Sequence, residues 1–423
     1  MLERLYSVLV YLAAPLALLA LLWQSRRDPS YRERLGERWG FTVARFERAP
    51  LWVHAVSVGE VQASAVLIRA LQRQYPERPL LVTTGTPTGA QRVRALFGEQ
   101  VRHAYLPYDM PGAVRRFLDR VRPAIGIVME TEIWPNLFRE CRRRGIPLVI
   151  ASARLSEKSV RRYGRLRSLT RDALTTVLVA AQTEVDAARY RAIGAAHVAV
   201  VGNVKFDIEV AAETIAAGQA LRAAQIGGRP VWIAASTHEG EEQQALSAHR
   251  AIQCRLPDAL LILVPRHPQR FADVTAFLTE QGVRFVARSR GQTAAPDTEV
   301  LLVDTLGELQ MFYAAADAAF VAGSLVPIGG HSLLEPAAIG CPIVTGPHNF
   351  NAPDIARLFI ANGAAIEVAD ATALGETLVR LLLAPDERAR MVGKAREIVE
   401  QNRGALDRVL AIVARELNAA RAV

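Results

Sequence analysis

Read for apolar and polar positions, the chain repeats one pattern: a short apolar run, a polar turn, then a stretch with apolar residues three or four apart. Apolar runs at Leu51 to Val56, Leu80 to Thr84, His103 to Leu106, Ala124 to Met129, Pro147 to Ala151, Thr176 to Ala180 and Val198 to Val201 predict strands. Stretches between them, such as Val61 to Gln74 and Ala113 to Val121, have helical spacing. From Asp207 to Arg229 the composition turns to Ala, Glu and Gln and closes on Gly227, Gly228 and Pro230, the mark of a domain boundary. A second series follows, with strands predicted at Val231 to Ala235, Ala259 to Val264, Val283 to Ala287, Val300 to Val303, Ala318 to Val321, Pro342 to Thr345 and Ala364 to Val368. Alternating strand and helix predict an α/β protein in which mostly parallel sheets are covered on both faces. At 423 residues the chain exceeds one ordinary core, so two domains are expected.

The N-terminus breaks this pattern. From Leu5 to Trp23 no charged residue interrupts an apolar run, long enough for a helix that crosses or deeply enters a bilayer, which takes about 20 residues. Tyr6, Tyr11 and Trp23 lie near its ends, as interfacial aromatics do, and Pro15 is tolerated in membrane helices. Arg26, Arg27, Arg32, Arg34 and Arg38 follow, against a single Arg4 before it, which places the body of the chain on the cytoplasmic side. A signal peptide is disfavoured because the run ends in Trp-Gln-Ser-Arg-Arg without a small-residue cleavage site. Whether the segment spans the bilayer or lies embedded in it is left open by the sequence.

Composition narrows the partners. Apolar residues make up 51% and charged residues 22%, which excludes extensive disorder, and the net charge of +9 points to an anionic partner. No aromatic-and-basic module concentrates that charge, so nucleic acid is not the expected partner. Cys141, Cys254 and Cys341 stand singly in apolar or helical surroundings and read as buried thiols, without zinc or disulfide spacing.

Ligands of parallel sheets bind beyond the carboxyl ends of the strands, so the loops there carry the candidate chemistry. In Ser57 to Ser64, SVGEVQAS, Gly59 permits a tight turn and Glu60 falls at the start of the next helix. There the helix dipole can keep a carboxylate ionised for work as a general base, or Glu60 simply favours the first turn. Thr83 to Ala90, TTGTPTGA, suits a phosphate or sugar and equally passes as a capped helix start. At Met129 to Phe138 a buried strand ends in Glu130 and Glu132, carboxylates that either divide acid and base roles or hold an arginine; an exposed Trp134 beside them would suit a sugar or an acyl chain. Arg154, Lys158, Arg161, Arg162 and Arg165 form either a phosphate-receiving cluster or a solvated helix face. Lys205 follows the last strand of the first half.

In the second half Arg266 and His267 follow a strand, Arg266 being the better phosphate ligand. Gly307 and Glu308 begin another helix, where backbone groups can read a base edge. The segment Ala235 to Glu242, ASTHEGEE, reads as a capped helix start. The richest stretch is Gly323 to Asn351, GSLVPIGGHSLLEPAAIGCPIVTGPHNFN. Gly329 and Gly330 lead through His331 and Ser332 into a helix whose first amides attract anions, and Glu335 on its first turn can accept from ribose hydroxyls.

This arrangement resembles the donor site of GT-B glycosyltransferases, and with SVGEVQAS, METEIWPNLF, VGNVKFD and ASTHEGEE it is similar to the 3-deoxy-D-manno-octulosonic acid (Kdo) transferase family over nearly the whole chain. The resemblance implies two Rossmann-like domains facing across a cleft behind an N-terminal membrane-anchor helix. The expected limits are an anchor at 1–24, an acceptor-binding domain at 25–207, a linker at 208–229, a nucleotide-sugar domain at 230–400, and a final helix at 401–423 returning to the first domain. It implies Glu60 as catalytic base, with Glu130 (rather than Glu132) and Lys205 assisting the transition state. It assigns cytidine monophosphate contacts to Pro265, Arg266, Leu306, Gly307, Glu308, Ser332, Leu333, Leu334 and Glu335. Ser332 stands where many members carry asparagine, and both can cap a helix and bond phosphate.

The implied reaction is inverting transfer of Kdo from CMP-Kdo to lipid IVA at the cytoplasmic face of the bacterial inner membrane, among its phospholipids. No cofactor or metal is expected; no Asp-x-Asp motif is present. The rival readings are another GT-B enzyme, such as a nucleotide-sugar 2-epimerase or a UDP-sugar transferase, and a non-catalytic nucleotide-sugar-binding membrane protein. An epimerase has no need of the apolar N-terminal run.

Overall fold

The computed structural model describes residues 2–26 and 28–421, so Arg27 of the basic run lies outside the described residues. The chain divides into two compact units, Met1–Asp207 with Asn402–Val423, and Ile208–Gln401.

The first unit holds a seven-stranded parallel sheet of β1 (Leu51–His54), β2 (Leu80–Thr84), β3 (Arg102–Tyr105), β4 (Ile125–Met129), β5 (Leu148–Ala153), β6 (Val177–Ala181) and β7 (His197–Val200). The spatial order is β3-β2-β1-β4-β5-β6-β7. The continuous apolar runs follow from burial of both faces, yet the period of two survives: Leu51 and Val53 join the core on one side, Trp52 the core on the other. The helix Ala405–Arg421 closes one of these faces, inserting Ala405, Val409, Val413 and Leu417 at four-residue spacing beside β4 and the helix Val58–Gln74. Its start is fixed by Asp207, whose carboxylate accepts the Gly404 and Leu406 N–H groups at 2.6 and 2.7 Å.

The second unit repeats the architecture with β8 (Val231–Thr237), β9 (Leu260–Pro265), β10 (Phe285–Ala287), β11 (Val300–Leu302), β12 (Ala318–Val321), β13 (Ile343–Thr345) and β14 (Ala365–Glu367). Their order is β10-β11-β9-β8-β12-β13-β14, again all parallel. Every apolar run read as a strand is one. The stretch 208–229 departs from a plain connection: Ala212–Leu221 is a helix of this unit. Gly218 lets it approach the helix Leu309–Ala315, since a Cβ there would meet Met311 O at 2.2 Å.

In each sheet the chain runs outward on one side of a central strand and then returns to its other side. The reversal lies between β1 and β4 in the first unit and between β8 and β12 in the second. The carboxyl ends of the strands at such a reversal are the usual ligand position of these sheets.

Before the first sheet, α1 (Leu2–Gln24) is one continuous helix, with Pro15 inside it on the exposed side. Of the arginines of the basic run among the described residues, Arg26 and Arg32 are exposed. Arg38 is buried, donates to Gly85 O at 3.0 Å and stacks on Tyr105; Arg34 bonds His103 and pairs with Glu37. These two charges serve the fold of the first unit. Cys254 is likewise exposed, unlike the buried Cys141 and Cys341.

Candidate functional site

In the first unit the loops after β1 and β4 meet at the reversal point. Ser57 caps the helix Val58–Gln74, accepting the Glu60 N–H at 3.5 Å, and Glu60 Oε2 accepts the Val56 N–H at 2.8 Å. This is the reciprocal logic of a capping box, displaced by one residue. Gly59 therefore sits inside the first helical turn and not in a tight turn, and Glu60 performs the structural role weighed for it. Its Oε1 makes no hydrogen bond among the described residues and stays available.

Burial pushes the Glu60 carboxyl up to about 7; the Val56 N–H opposes this, the carboxylates of Glu130 and Glu132 raise it further, and Lys205 lowers it. Glu60 is thus poised near neutrality and is not firmly ionised, because desolvation outweighs the helix N-terminus that was expected to decide its state.

Glu130 ends β4 with φ of +55°, a left-handed conformation unusual for a branchless acidic side chain. The backbone is held there from three sides: its N–H donates to Ala151 O at 3.0 Å, and its carbonyl accepts from Tyr190 OH at 3.0 Å and from the Arg154 N–H at 3.3 Å. Strain held by its surroundings in this way is typical of functional positions. Its side chain receives Lys205 Nζ at 2.9 Å on Oε1, while Arg154 Nε lies 3.9 Å from Oε2. Lys205 is itself placed by Asn203, whose side chain accepts its N–H at 3.0 Å. The structure therefore brings Glu60, Glu130 and Lys205 into one electrostatic group. Burial also raises Glu132. Trp134 is half-buried against the core and not freely exposed. Thr86 caps the helix Pro87–Phe97 through Gly89, the ordinary role weighed for the TTGTPTGA loop.

In the second unit the loops after β8 and β12 meet in the same way. Glu241, fully buried at the start of the helix Glu241–Gln253, accepts four backbone N–H groups: Gly323 at 2.7 Å, Ser324 at 3.0 Å, Leu325 at 3.0 Å and His238 at 3.1 Å. One carboxylate thus fixes the first turn of the glycine-rich loop. Above it, His238 and His331 stack with ring centroids 5.1 Å apart and Nε2 atoms 2.9 Å apart, and His267 meets His238 edge-on at 5.3 Å. Burial and nearby Arg266 hold His331 down to about 3; burial and His267, with Arg266, hold His238 down to about 4. His238 and His331 are therefore neutral polar groups at pH 7, beside a guanidinium, and burial lowers His267 as well.

Pro265 ends β9 and Arg266 follows it, half-buried. Leu306 and Gly307 are exposed, and Gly307 takes φ of +86°. The Glu308 carboxylate is already engaged: Arg288 clasps it at 2.8 and 3.2 Å, holding it below the usual carboxylate range. The glycine-rich loop differs from expectation at Ser332. Leu333 and Leu334 are buried, which sets where the helix Leu334–Ile339 begins, and Leu333 is the cap residue with no side-chain bond. Ser332 is left exposed, one residue outside, and does not cap. Gly329 and Gly330 take φ of +110° and +73°, and a Cβ on either would collide with Asn351 or Asn349, which explains both glycines.

Sequence reading missed Glu241 and the His238 to His331 pair. The acid in ASTHEGEE signalled only a helix start; the partner loop lies 82 residues on.

The chain matches the family model for 3-deoxy-D-manno-octulosonic-acid transferase over residues 33–208 and that for glycosyl transferases group 1 over residues 294–398. It is 41% identical over 411 residues to the 3-deoxy-D-manno-octulosonic acid transferase of Haemophilus influenzae, covering 96% of each chain. To that of Bordetella pertussis it is 42% identical over 419 residues, covering 93% of this chain and 95% of the relative. Among solved structures, a glycosyltransferase from Rickettsia africae superposes with a TM-score of 0.54 at 12% identity, covering 88% of this chain and 99% of its own; at that identity it shows a shared GT-B type fold. With Glu60, Glu130 and Lys205 grouped at one strand reversal, a polar, glycine-rich loop pinned at the other, and near-full-length similarity of this degree, the chain belongs to the 3-deoxy-D-manno-octulosonic acid transferase family of glycosyltransferases.

Proposed function

We propose that the protein transfers Kdo from CMP-Kdo to lipid IVA with inversion at the anomeric carbon, at the cytoplasmic face of the inner membrane. The observation that carries this reading is Glu60: a carboxyl pushed up to about 7, fixed through one oxygen and open at the other. A base is most effective when its pKa lies near the working pH. Glu60 accepts the proton of the acceptor hydroxyl as that oxygen attacks the anomeric carbon, the bond to the phosphate oxygen breaks, and cytidine monophosphate leaves with the electron pair. Glu130 holds Lys205 in place, and the ammonium stabilises negative charge developing in the transition state.

The nucleotide is received by the second unit. Arg266 meets the phosphate, the backbone of Leu306 to Glu308 reads the base edge, and the Ser332 to Glu335 segment binds phosphate and ribose. Exposed Ser332 is available to a ligand because it does not cap the helix.

The test is incubation of the purified protein with CMP-Kdo and lipid IVA followed by mass analysis of the lipid. A gain of one or more Kdo units supports the reading and counts the additions; no gain, with turnover of a UDP-sugar instead, overturns it in favour of another GT-B activity. Glu60→Ala that still glycosylates lipid removes Glu60 from the role of base.

A further inference from the structure

Membrane association is part of the proposed function, and the inference here rests on that reading while going beyond it. The two faces of α1 differ sharply. Glu3, Ser7, Val10, Ala14, Ala17 and Leu21, at alternating spacings of four and three, form one partly or fully buried stripe. The opposite face, with Leu5, Val8, Leu12, Leu16, Leu19 and Trp23, is exposed and apolar beyond Arg4 on the first turn; Leu12 and Leu16 are each 68% exposed.

The buried stripe is bonded to the first unit from its earliest turns. Glu3 pairs with Arg139 at 3.3 Å, Ser7 Oγ donates to Asn136 Oδ1 at 2.9 Å, and beside the stripe Tyr6 OH donates to Asp109 Oδ2 at 2.9 Å. Tyr11 OH accepts the Gly112 N–H at 2.9 Å, and Leu21 is buried near the far end. Glu3 and Leu21 are about 27 Å apart along the axis, nearly the depth of the hydrocarbon core. A spanning α1 would therefore drag Asp109, Asn136, Arg139 and their neighbours across that core, at several kcal/mol for each charge. Lying in the plane, α1 buries only its apolar face.

Beside α1 runs the helix Arg167–Leu174, preceded by Glu157–Gly164. Lys158, Arg161, Arg162, Arg165, Arg167 and Arg171 are all exposed on this pair, and exposed Leu166 stands between two of them. An open pocket of about 570 Å³ is lined by Arg167, Ser168, Arg171, Asp172 and Thr175.

We propose that α1 does not cross the bilayer: it lies in the plane of one anionic leaflet, its apolar face in the acyl chains and the Arg161 to Arg171 band against phospholipid phosphates. The test places spin labels, one at a time, at Leu5→Cys, Leu12→Cys and Leu19→Cys in a Cys254→Ser background, with the full chain bound to phosphatidylethanolamine and phosphatidylglycerol vesicles. These positions share the exposed face, so their substitution leaves the bonded stripe intact. Equal depth at all three, just below the headgroups, is the expected result. A graded depth, with Leu12 deepest and Leu5 and Leu19 about 21 Å apart along the normal, overturns it, as does solvent exposure of all three. In the second arm, Arg167→Gln with Arg171→Gln weakens binding to phosphatidylglycerol vesicles by about 10-fold or more and leaves the label depths unchanged; undiminished binding removes the basic band from the proposal. Neither readout depends on glycosyl transfer, so failure here is separable from failure of the proposed reaction.

Discussion

Lys205 Nζ sits 2.9 Å from Glu130 Oε1, with the two side chains 23% and 14% exposed. The pair joins residues 75 positions apart and ties the end of the last segment of the first sheet to the strained end of β4. Both groups also act on Glu60, in opposite directions.

The pH dependence follows from that opposition. Glu60 must be deprotonated to act, so kcat/KM is expected to rise with pH through about 7 and then level off. Glu130→Gln removes a charge that raises Glu60 and moves this limb to lower pH; Lys205→Met removes one that lowers it and moves the limb to higher pH. Rate profiles of the three proteins check the signs, and shifts in the reverse directions would show that Glu60 is not the titrating base.

Glu60→Gln keeps the shape of the side chain and an acceptor for the Val56 N–H but cannot take a proton. It is expected to lower kcat by about 10²- to 10⁴-fold while leaving the affinity for cytidine monophosphate unchanged. Calorimetry of nucleotide binding alongside the lipid assay separates the two effects.

The ion pair is also expected to stabilise the first unit. Lys205→Met and Glu130→Gln, alone and combined, are expected to show a coupling of about 1 to 2 kcal/mol in a denaturant double-mutant cycle. Additive losses would mean the pair holds the site geometry without adding stability.

Glu241→Ala leaves the N–H groups of Gly323, Ser324, Leu325 and His238 without their acceptor in a buried place. Unsatisfied buried donors cost about 1 to 3 kcal/mol each, so the substitution is expected to destabilise the second unit by about 3 kcal/mol or more. Glycine-rich backbone freed from its clamp should also become cleavable by protease between residues 323 and 330. Glu241→Gln, which keeps one acceptor oxygen, should fall between the two. A thermal melt together with timed proteolysis tests this, and an unchanged cleavage pattern would show that other contacts hold the loop.

Much of this protein was written locally. Apolar runs such as Leu51 to Val56 and Ala318 to Val321 mark strands because a strand buried on both faces has no place for polar residues, and that holds wherever the strand ends up. The carboxylates of Glu60 and Glu130 were visible as polar residues at the ends of such runs. The helix of α1 was visible in an uncharged run from Leu5 to Trp23.

What stayed hidden depends on partners distant along the chain. The order β3-β2-β1-β4 and its counterpart in the second unit bring the loops after β1 and β4, and those after β8 and β12, side by side, and no local signal encodes strand order. The rise of Glu60 to about 7 comes from burial and neighbouring charges, Glu241 finds its role only against the loop after β12, and the stripe of α1 that faces the body is chosen by Asp109, Asn136 and Arg139. Which segments become strands and helices, and which polar groups stand at their ends, can be read from the chain alone, because those are settled within a few residues. Tertiary structure alone decided which of those groups share an environment, because desolvation, ion pairing and backbone clamping arise only when segments far apart are brought together.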